Sequence, residues 1–301
     1  MTLKMKSKIL LFLKGFLMGI CDLIPGISGG TIAFITGIYI RLINAVKGIS
    51  PKLFYDFFSS MAGRKGSKKR LKKDIEKLDF VFLLVLLLGI TTALLVGSRA
   101  IKFLLDNYFS YTIAFFVGLI LASSKIIFNE IKNHKIKNII FGVFGLIIGI
   151  IIAMLVPLTI ESPSLYYVFL GGFLAVSAMF LPGISGAFIL LIMGIYGFMI
   201  NVLHNILDNV SPLLIFILGA ILGALVISRV ISFLFEKDKC KTLYVLLGLV
   251  IGSLSVPIKR IFAASLELNI FIILSFVILG ALLVIIINSL RPSGQNKQGF
   301  L

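Results

Sequence analysis

The sequence has little of what a metal site or a disulfide framework requires. Its 301 residues include two cysteines, Cys21 and Cys240, and two histidines, His134 and His204. Two cysteines are too few for a disulfide framework, and no cysteine and histidine cluster has the spacing of metal ligands. The composition therefore predicts no bound metal and no cofactor.

Charged residues are also scarce, which is not typical of a soluble domain. Only 14% of the residues are charged, 59% are hydrophobic, and the mean hydropathy is +1.13. Crossing a hydrocarbon layer of about 30 Å takes about 20 helical residues. Apolar runs able to do so lie near 79–105, 109–128, 138–157, 211–235, 241–257 and 268–289. Because these runs are rich in Leu, Ile and Phe and do not alternate, they predict an all-α, polytopic membrane protein.

Acidic residues are the scarcer of the two charged classes. The chain has 29 Lys and Arg against 12 Asp and Glu, a net charge of +17. Nine of the basic residues lie between Ser50 and Asp79, beside apolar segments. Such a block is typical of a cytoplasmic loop and of a surface for anionic membrane lipids, so we do not predict a nucleic-acid partner.

The chain contains an internal duplication. Residues 15–44 and 172–201, aligned at an offset of 157, are identical at 15 of 30 positions, and the match continues downstream at an offset of 130. The first copy, 1–158, has a hairpin at 9–49, a cytoplasmic Lys-rich loop at 50–78 and helices at 79–157. The second, 165–290, has a hairpin at 165–207 and helices at 211–289, and a C-terminal tail follows at 291–301.

The two copies are predicted to lie in opposite orientations in the membrane. Each has one hairpin and three spanning helices, which makes an odd number of crossings. Cytoplasmic loops of membrane proteins carry an excess of Lys and Arg. If the copies are inverted, the loops that fall on the cytoplasmic side are basic, and no Lys or Arg occurs from 138 to 228. Only Lys259 and Arg260 depart from this pattern. We therefore expect inverted-topology repeats with both termini cytoplasmic.

Proline and glycine break both hairpins, at Pro25 and Gly26 and again at Pro182 and Gly183. In the first hairpin, the uncharged stretch on each side of the break is only about 10 to 12 residues, or about 15 to 18 Å of helix. We expect a re-entrant pair of half-length helices with its turn near mid-depth. The second hairpin has no charge from Ser185 to Leu203, so a full crossing is an alternative there.

Broken segments at corresponding positions of inverted repeats indicate a transporter's binding site. The residues after the breaks suit an anion, because backbone amides collect there and hydroxyl groups add further donors. The expected donors to a phosphate are Ser28, Gly29, Gly30, Thr31, Ser185 and Gly186. The alternative interpretation is structural, with a tight Pro-Gly turn and a serine that caps a helix.

Three charged residues inside apolar segments are further candidates. Arg99 and Arg229 match each other in the duplication, and an intramembrane arginine usually has a partner or a function, although extension of its side chain to the interface is an alternative. Asp22 has no counterpart, since Met179 occupies the matching position. It is predicted to be either a site of proton or cation coupling or the ion-pair partner of an arginine.

The two hairpin motifs resemble those of the bacterial polyprenyl-phosphate transporters, a family formerly catalogued as a domain of unknown function. The first motif is "GFLMGICDLIPGISGGTIAFITGIYIRLI" and the second is "PGISGAFILLIMGIY". The resemblance covers essentially the whole chain. The family motifs fall on Asp22, Pro25, Gly26, Ser28, Gly29, Gly30, Thr31, Pro182, Gly183, Ser185 and Gly186.

The resemblance implies a translocase that returns undecaprenyl phosphate from the outer to the inner leaflet of the bacterial cytoplasmic membrane, for reuse as a carrier of cell-wall precursors. We expect its phosphate to bind between the hairpin tips and the two arginines while the copies rock about this site. A coupling proton or sodium ion and a homo-oligomer are left open.

Two other classes of function compete with this interpretation. Undecaprenyl-pyrophosphate phosphatases have a similar hairpin motif, but theirs has an arginine where Gly29 stands here, and neither hairpin contains a glutamate to act as acid or base. We therefore predict that the protein is not an enzyme. A channel or carrier for a small soluble anion is the other alternative, because half-helices also line such pores.

Overall fold

The structure, a computed structural model, describes residues 3–24, 27–49, 51–64, 66, 70, 79–155, 159–263 and 269–289. In these ranges every regular element is helical. The helices of the first copy are α1 (Leu3–Asp22), α2 (Gly29–Ile35), α3 (Tyr39–Lys47), α4 (Pro51–Met61), α5 (Phe80–Thr92), a π-helical turn (Ala93–Gly97), α6 (Ser98–Glu130) and α7 (Ile136–Met154). Those of the second are α8 (Leu165–Met179), α9 (Gly186–Ile192), α10 (Tyr196–His204), α11 (Val210–Lys237), α12 (Lys239–Ser253), α13 (Ser255–Ala263) and α14 (Ile270–Ser289).

The apolar helices are long enough to make this a multi-pass membrane protein. Four helical stretches of the described chain can cross a membrane by length and composition, or six if each of two bent helix pairs counts as one span. The longest, Phe80–Asn129, has 50 residues, which is about 75 Å of helix and more than twice the hydrocarbon thickness. It is broken at Tyr108, which has non-helical angles of φ −138° and ψ 39°. The break lies between the two apolar runs at 79–105 and 109–128.

The breaks at Tyr108 and Asp238 occupy matching positions of the two copies and have similar surroundings. Asp238 separates α11 from α12. Beyond each break a threonine hydroxyl donates to two carbonyl oxygens of the preceding helix, Thr112 to Leu104 and Tyr108, and Thr242 to Leu234 and Asp238. Carbonyls at a helix end lack helical partners, so these hydroxyls satisfy groups that the break would otherwise leave unpaired.

The four main helix pairs follow the duplication. Within each copy the first helix packs against the helix that follows the hairpin, α1 on α5 and α8 on α11. The remaining long helices pair between copies, α6 with α14 and α12 with α7. Each copy therefore completes its packing only with helices of the other copy.

Glycines allow the close approach of the helices paired between copies. A side chain at Gly118 would overlap the carbonyl of Val277, and one at Gly280 would overlap that of Phe115. The helix pair of α12 with α7 is similar: a side chain at Gly248 would overlap the carbonyl of Gly142, and one at Gly145 would overlap that of Val245. These glycines act as small residues at a helix interface, a common device in membranes.

Each hairpin has two breaks, one more than predicted. The second arm was expected to be a single half-length helix, but α2 and α3 meet at 115° and α9 and α10 at 117°. Gly37 and Gly194 lie in these bends with φ of 73° and 77°, a conformation that favours glycine. The expectation of a simple helix pair is wrong for both hairpins, and Ser185 to Leu203 is not one straight span.

Long side chains from α1 and α8 donate hydrogen bonds to backbone carbonyls at the bends near Gly37 and Gly194. The Lys14 ammonium donates to the carbonyl of Thr36 at 2.7 Å, and the Tyr167 hydroxyl donates to that of Met193 at 3.0 Å. Thr36 and Met193 are matching residues, although Lys14 and Tyr167 are not. Lys14 also places a positive charge at the C-terminal end of α2, where the helix dipole favours it.

Most of the Lys-rich loop lies outside the described residues. The described part contains α4 and an ion pair in which the Arg70 guanidinium contacts the buried carboxylate of Asp56 at 3.0 Å. The lipid-binding surface expected for this loop stays a prediction. Pro25, Gly26 and the C-terminal tail also lie outside the described residues.

Candidate functional site

The tip of the first hairpin is capped by the chain's own oxygen atoms. Ser28 precedes α2, and its hydroxyl accepts from the Gly30 amide at 3.2 Å. The Asp22 carboxylate accepts from the Gly29 amide at 2.7 Å. Ser28 and Thr31 are each 2% exposed. Two of the amides expected to bind an anion are thus already bonded in this conformation.

Asp22 caps α2 and lies where an external anion was expected. Its acidic oxygen contacts the first amide of the helix, a position at which the helix dipole favours negative charge. Among the described residues no ion pair joins Asp22 to an arginine. The coupling function proposed for Asp22 stays a prediction.

The tip of the second hairpin lacks such a cap. Met179 stands in place of Asp22, and the Ser185 side chain makes no capping hydrogen bond to α9. Gly183 has φ 91°, a backbone conformation that favours glycine. A cavity of about 10 Å³, room for about one water molecule, is lined by Gly183, Ser185, Phe188 and Ser253 among others.

The two tips meet at the interface of the copies. The Gly183 amide donates to the Thr31 hydroxyl at 2.7 Å, and the Tyr39 hydroxyl donates to the Phe180 carbonyl at 2.7 Å. Gly30 lies against the Met179 carbonyl, which a larger side chain would overlap. Hydroxyl groups and the ends of two short helices therefore converge at one place, and the binding of a phosphate there stays a prediction.

The arginines do not join this cluster in the present conformation. The Arg229 guanidinium donates to the Leu225 carbonyl at 2.7 Å and to the Ile49 carbonyl at 3.2 Å. Ile49 lies just beyond α3, at the opposite end of the hairpin from its tip. Arg99 is exposed, and in the described part of the chain no hydrogen bond joins it to either hairpin.

Two cavities lie along α6, one of them beside the first hairpin. A cavity of about 60 Å³ lies between α1, α2, α6 and α14, with Cys21, Thr36 and Ser123 in its wall. A larger groove of about 630 Å³ runs between α6 and α14 and is almost entirely apolar. The Phe116 side chain lines both. We call the second of these cavities the α6–α14 groove.

The sequence prediction missed Tyr39, Gly37 and Lys47. Tyr39 bonds to the other hairpin, Gly37 allows the second break, and the Lys47 ammonium bonds to Ser232 and Glu236 in the second copy. Tyr39 and Gly37 recur as Tyr196 and Gly194, so their identity in both copies was a usable signal. Lys47 has no identical counterpart in the second copy, so the duplication gave no signal for it.

The described residues hold no group of three or more His, Cys, Asp or Glu side chains that could bind a metal ion. The candidate site consists of polar groups and helix ends at the hairpin contact, and an apolar groove lies between α6 and α14. Together with the spanning helices they define a membrane protein with an internal polar site at the contact of two broken hairpins.

Comparison with known proteins assigns the family. Residues 18–269 match a family described as undecaprenyl phosphate translocase-like, and the chain belongs to that family. It is 35% identical over 243 residues to a polyprenyl-phosphate transporter of Vibrio cholerae serotype O1, covering 81% of this chain and 75% of that protein. It is 30% identical over 258 residues to a polyprenyl-phosphate transporter of Staphylococcus aureus, covering 80% and 83% of the two chains. No solved structure matches it.

Proposed function

We propose that this protein carries a polyprenyl phosphate, undecaprenyl phosphate in particular, across the bacterial cytoplasmic membrane from the outer to the inner leaflet. The observation that carries the proposal is the meeting of the two broken hairpins through Thr31 and Gly183, near a largely apolar cavity lined by Ile32. The family membership and the names of two relatives support the substrate class. Return of the lipid to the inner leaflet makes it available again as a carrier.

A protein site is needed because the phosphate group cannot cross hydrocarbon unaided. Burying an isolated charge in such a medium costs tens of kcal/mol by Born estimates. One arginine at about 4 Å contributes about 4 kcal/mol per unit charge at an effective dielectric of about 20, and a helix end contributes up to about 2 kcal/mol. The hydroxyls of Ser28, Thr31 and Ser185 and the amide of Gly186 supply further donors near the centre.

The second hairpin is the better phosphate site of the two. Its tip has no carboxylate cap, whereas Asp22 occupies the Gly29 amide in the first. The headgroup binds at Ser185 and Gly186, and the first hairpin contributes Ser28, Gly30 and Thr31 from the other side. Arg99 and Arg229 stay proposed phosphate ligands, although neither bonds to the hairpin tips in the present conformation.

The lipid tail stays in the bilayer throughout. Each CH₂ group withdrawn from water contributes about 0.8 kcal/mol, so a long polyprenyl chain does not leave the hydrocarbon. The α6–α14 groove and the cavity that shares Phe116 give such a chain a lateral path beside the first hairpin.

Alternating access between leaflets rests on the arrangement of the copies. We propose that they are inverted repeats with both termini cytoplasmic, that the hairpins re-enter, and that the copies rock about the hairpin contact. The basic loop at 50–78 then faces the cytoplasm and its anionic lipids. A coupling proton or sodium ion and a homo-oligomer are compatible with this arrangement.

Translocation of a lipid phosphate by purified protein tests the proposal. Vesicles containing a polyprenyl phosphate are scored for the rate at which outer-leaflet headgroups become inaccessible to an impermeant phosphate-binding probe. Wild-type protein is compared with a Ser28→Ala/Ser185→Ala variant and with a control, Ser162→Ala/Ser275→Ala, whose serines are exposed and lie before α8 and in α14.

We expect wild type and control to accelerate the loss of accessibility and the hairpin variant to do so at least tenfold more slowly. No acceleration by wild type under any proton or sodium gradient contradicts the proposal. Conductance by a soluble anion without lipid phosphate favours a channel or carrier, and release of phosphate from a lipid pyrophosphate favours a phosphatase.

A further inference from the structure

The two copies pack alike in their long helices but differently in their hairpins. In the first hairpin, α3 crosses to the second copy and packs closely on α11. By the duplication, α10 would pack in the same way on the stretch 80–107. In the described ranges α10 makes no comparable contact there and packs on α11 of its own copy.

The matched tyrosines differ in the same way. Tyr39 is 1% exposed, and its ring packs on Phe34 and Phe235. Tyr196 is 37% exposed. The residue matching Phe180, whose carbonyl accepts from Tyr39, is Leu23, and no hydrogen bond joins Tyr196 to Leu23 among the described residues.

The matched arginines repeat this difference at the far ends of the hairpins. Arg229 donates to the Ile49 carbonyl, just beyond α3. The matching residues are Arg99 and Ile206, which lies just beyond α10, and they share no described hydrogen bond. We call the bonds of Tyr39 and Arg229 the first gate and their counterparts, Tyr196 to Leu23 and Arg99 to Ile206, the second gate.

We propose that the protein has a second conformation in which the two gates are exchanged. The first gate opens, the second forms, and each hairpin takes the position that the other holds here. The two conformations have gate bonds of the same kinds, so both can be populated, as a two-state element requires. The exchange rests on the proposed function for its use, because it opens the hairpin contact to each membrane face in turn.

The present conformation is then the one open to the outside. In the orientation expected from the charges, α3 ends on the cytoplasmic side, where Arg229 and the Lys47 contacts with Ser232 and Glu236 close the copies together. The open second gate faces the outer leaflet. A carrier that collects a lipid from that leaflet has to present this opening first.

Spin-label distances at two matching pairs of positions test the exchange. One pair is Gly48→Cys with Lys237→Cys, beside the closed first gate, and the other is Asn205→Cys with Asn107→Cys, beside the open second gate. These pairs are related by the offsets of the duplication, and none of the four residues forms a gate bond. Both are placed in a background with Cys21→Ala and Cys240→Ala, and distances are measured without added lipid phosphate.

We expect each pair to show a short and a long distance, the first pair mainly short and the second mainly long. Loss of one gate hydrogen bond shifts the two populations by roughly fivefold. Tyr39→Phe therefore favours the long distance at the first pair and the short distance at the second, and Tyr196→Phe does the reverse. Tyr166→Phe, at a residue 71% exposed, leaves both unchanged.

A single long distance at the second pair, in wild type and in both Tyr39→Phe and Arg229→Gln, overturns the exchange. Shifts of both pairs in the same direction overturn it as well. Because the distances are measured without substrate, a result that overturns the exchange does not contradict the proposed function, which the vesicle assay tests separately. Conversely, if the two distances exchange but the protein does not translocate lipid, the proposed function is contradicted and the exchange of the gates is not.

Discussion

At the scale of single residues, the two hairpins share a motif but differ in how they satisfy their polar groups. Both copies keep the Pro-Gly-Ile-Ser-Gly sequence, and in both a short helix begins at its last glycine. Asp22 and Thr31 in the first copy are replaced by Met179 and Phe188 in the second. The first hairpin thus supplies a carboxylate to its own helix and a hydroxyl to its neighbour, while the second leaves its tip open.

Asp22 gives the first residue-scale prediction. Asp22→Ala removes the acceptor for the Gly29 amide, and we expect it to destabilise the protein by about 1 to 2 kcal/mol. Asp22→Asn keeps an oxygen there and should retain most of the stability and transport. Melting in detergent and the vesicle assay measure the two effects. Full loss of transport in Asp22→Asn with unchanged melting would show that the charge, and not the cap, is required.

Thr31 gives the second residue-scale prediction. Thr31→Val preserves the shape of the side chain but leaves the Gly183 amide without its acceptor, at a cost of about 1 to 3 kcal/mol. Thr31→Ser keeps the hydroxyl and should behave almost as wild type. Thermal unfolding and transport rates of the two variants are the measurements. Equal behaviour of the valine and serine variants would mean that this bond does not hold the hairpins together.

At the scale of helices, the sequence predicted the long segments better than the hairpins. Apolar runs near 138–157 and 211–235 became α7 and α11, because length and hydropathy alone decide that a segment is a membrane helix. The bends at Gly37 and Gly194 were not predicted, since an isolated glycine in an apolar run does not by itself end a helix. Their recurrence in both copies was the only local signal.

The candidate site residues follow from the repeated motif and stay a prediction, whereas the packing around them could not be predicted. Repetition of the hairpin motif indicated that the two tips matter, and the structure brings Thr31 and Gly183 together. The distance of Arg229 from the tips could not be predicted, because it depends on how α3 and α11 pack across the copies. Local sequence does not encode such a contact between distant helices.

The glycines between copies give the prediction at this scale. Gly248→Ala and Gly118→Ala place a methyl group against a backbone carbonyl of the partner helix, and overpacking of this kind costs about 1 to 3 kcal/mol. We expect less monodisperse protein and a lower melting temperature. Gly197→Ala is the matched control, since nothing lies within 4 Å of its added methyl group. Equal loss in all three variants would point to helix geometry and not to the interface.

At the scale of the whole molecule, the copies are interlocked, and this limits how they can move. Long helices of the two copies pack on each other, α6 on α14 and α7 on α12. The copies therefore cannot separate without breaking these pairs. The short helices of the hairpins take no part in those pairs, and of them only α3 packs closely on a long helix of the other copy. Rocking of the copies therefore has to keep the long-helix pairs, and the exchange of the gates is a motion of the hairpins relative to them.

Opposite orientation of the copies is the last prediction, and matching positions test it directly. Asn107 and Lys237 are both exposed and lie one residue before the breaks at Tyr108 and Asp238. If the repeats are inverted, the two positions lie on opposite faces of the membrane, because the duplication relates them and the charge pattern places Lys237 inside. In cysteine-free protein in sealed cells, Asn107→Cys should react with an impermeant thiol reagent before lysis, and Lys237→Cys only after it. Leu207→Cys, 92% exposed and placed outside, is the positive control. Labelling of Asn107→Cys and Lys237→Cys from the same side would rule out inverted repeats, and with them an exchange that opens the hairpin contact to each membrane face in turn.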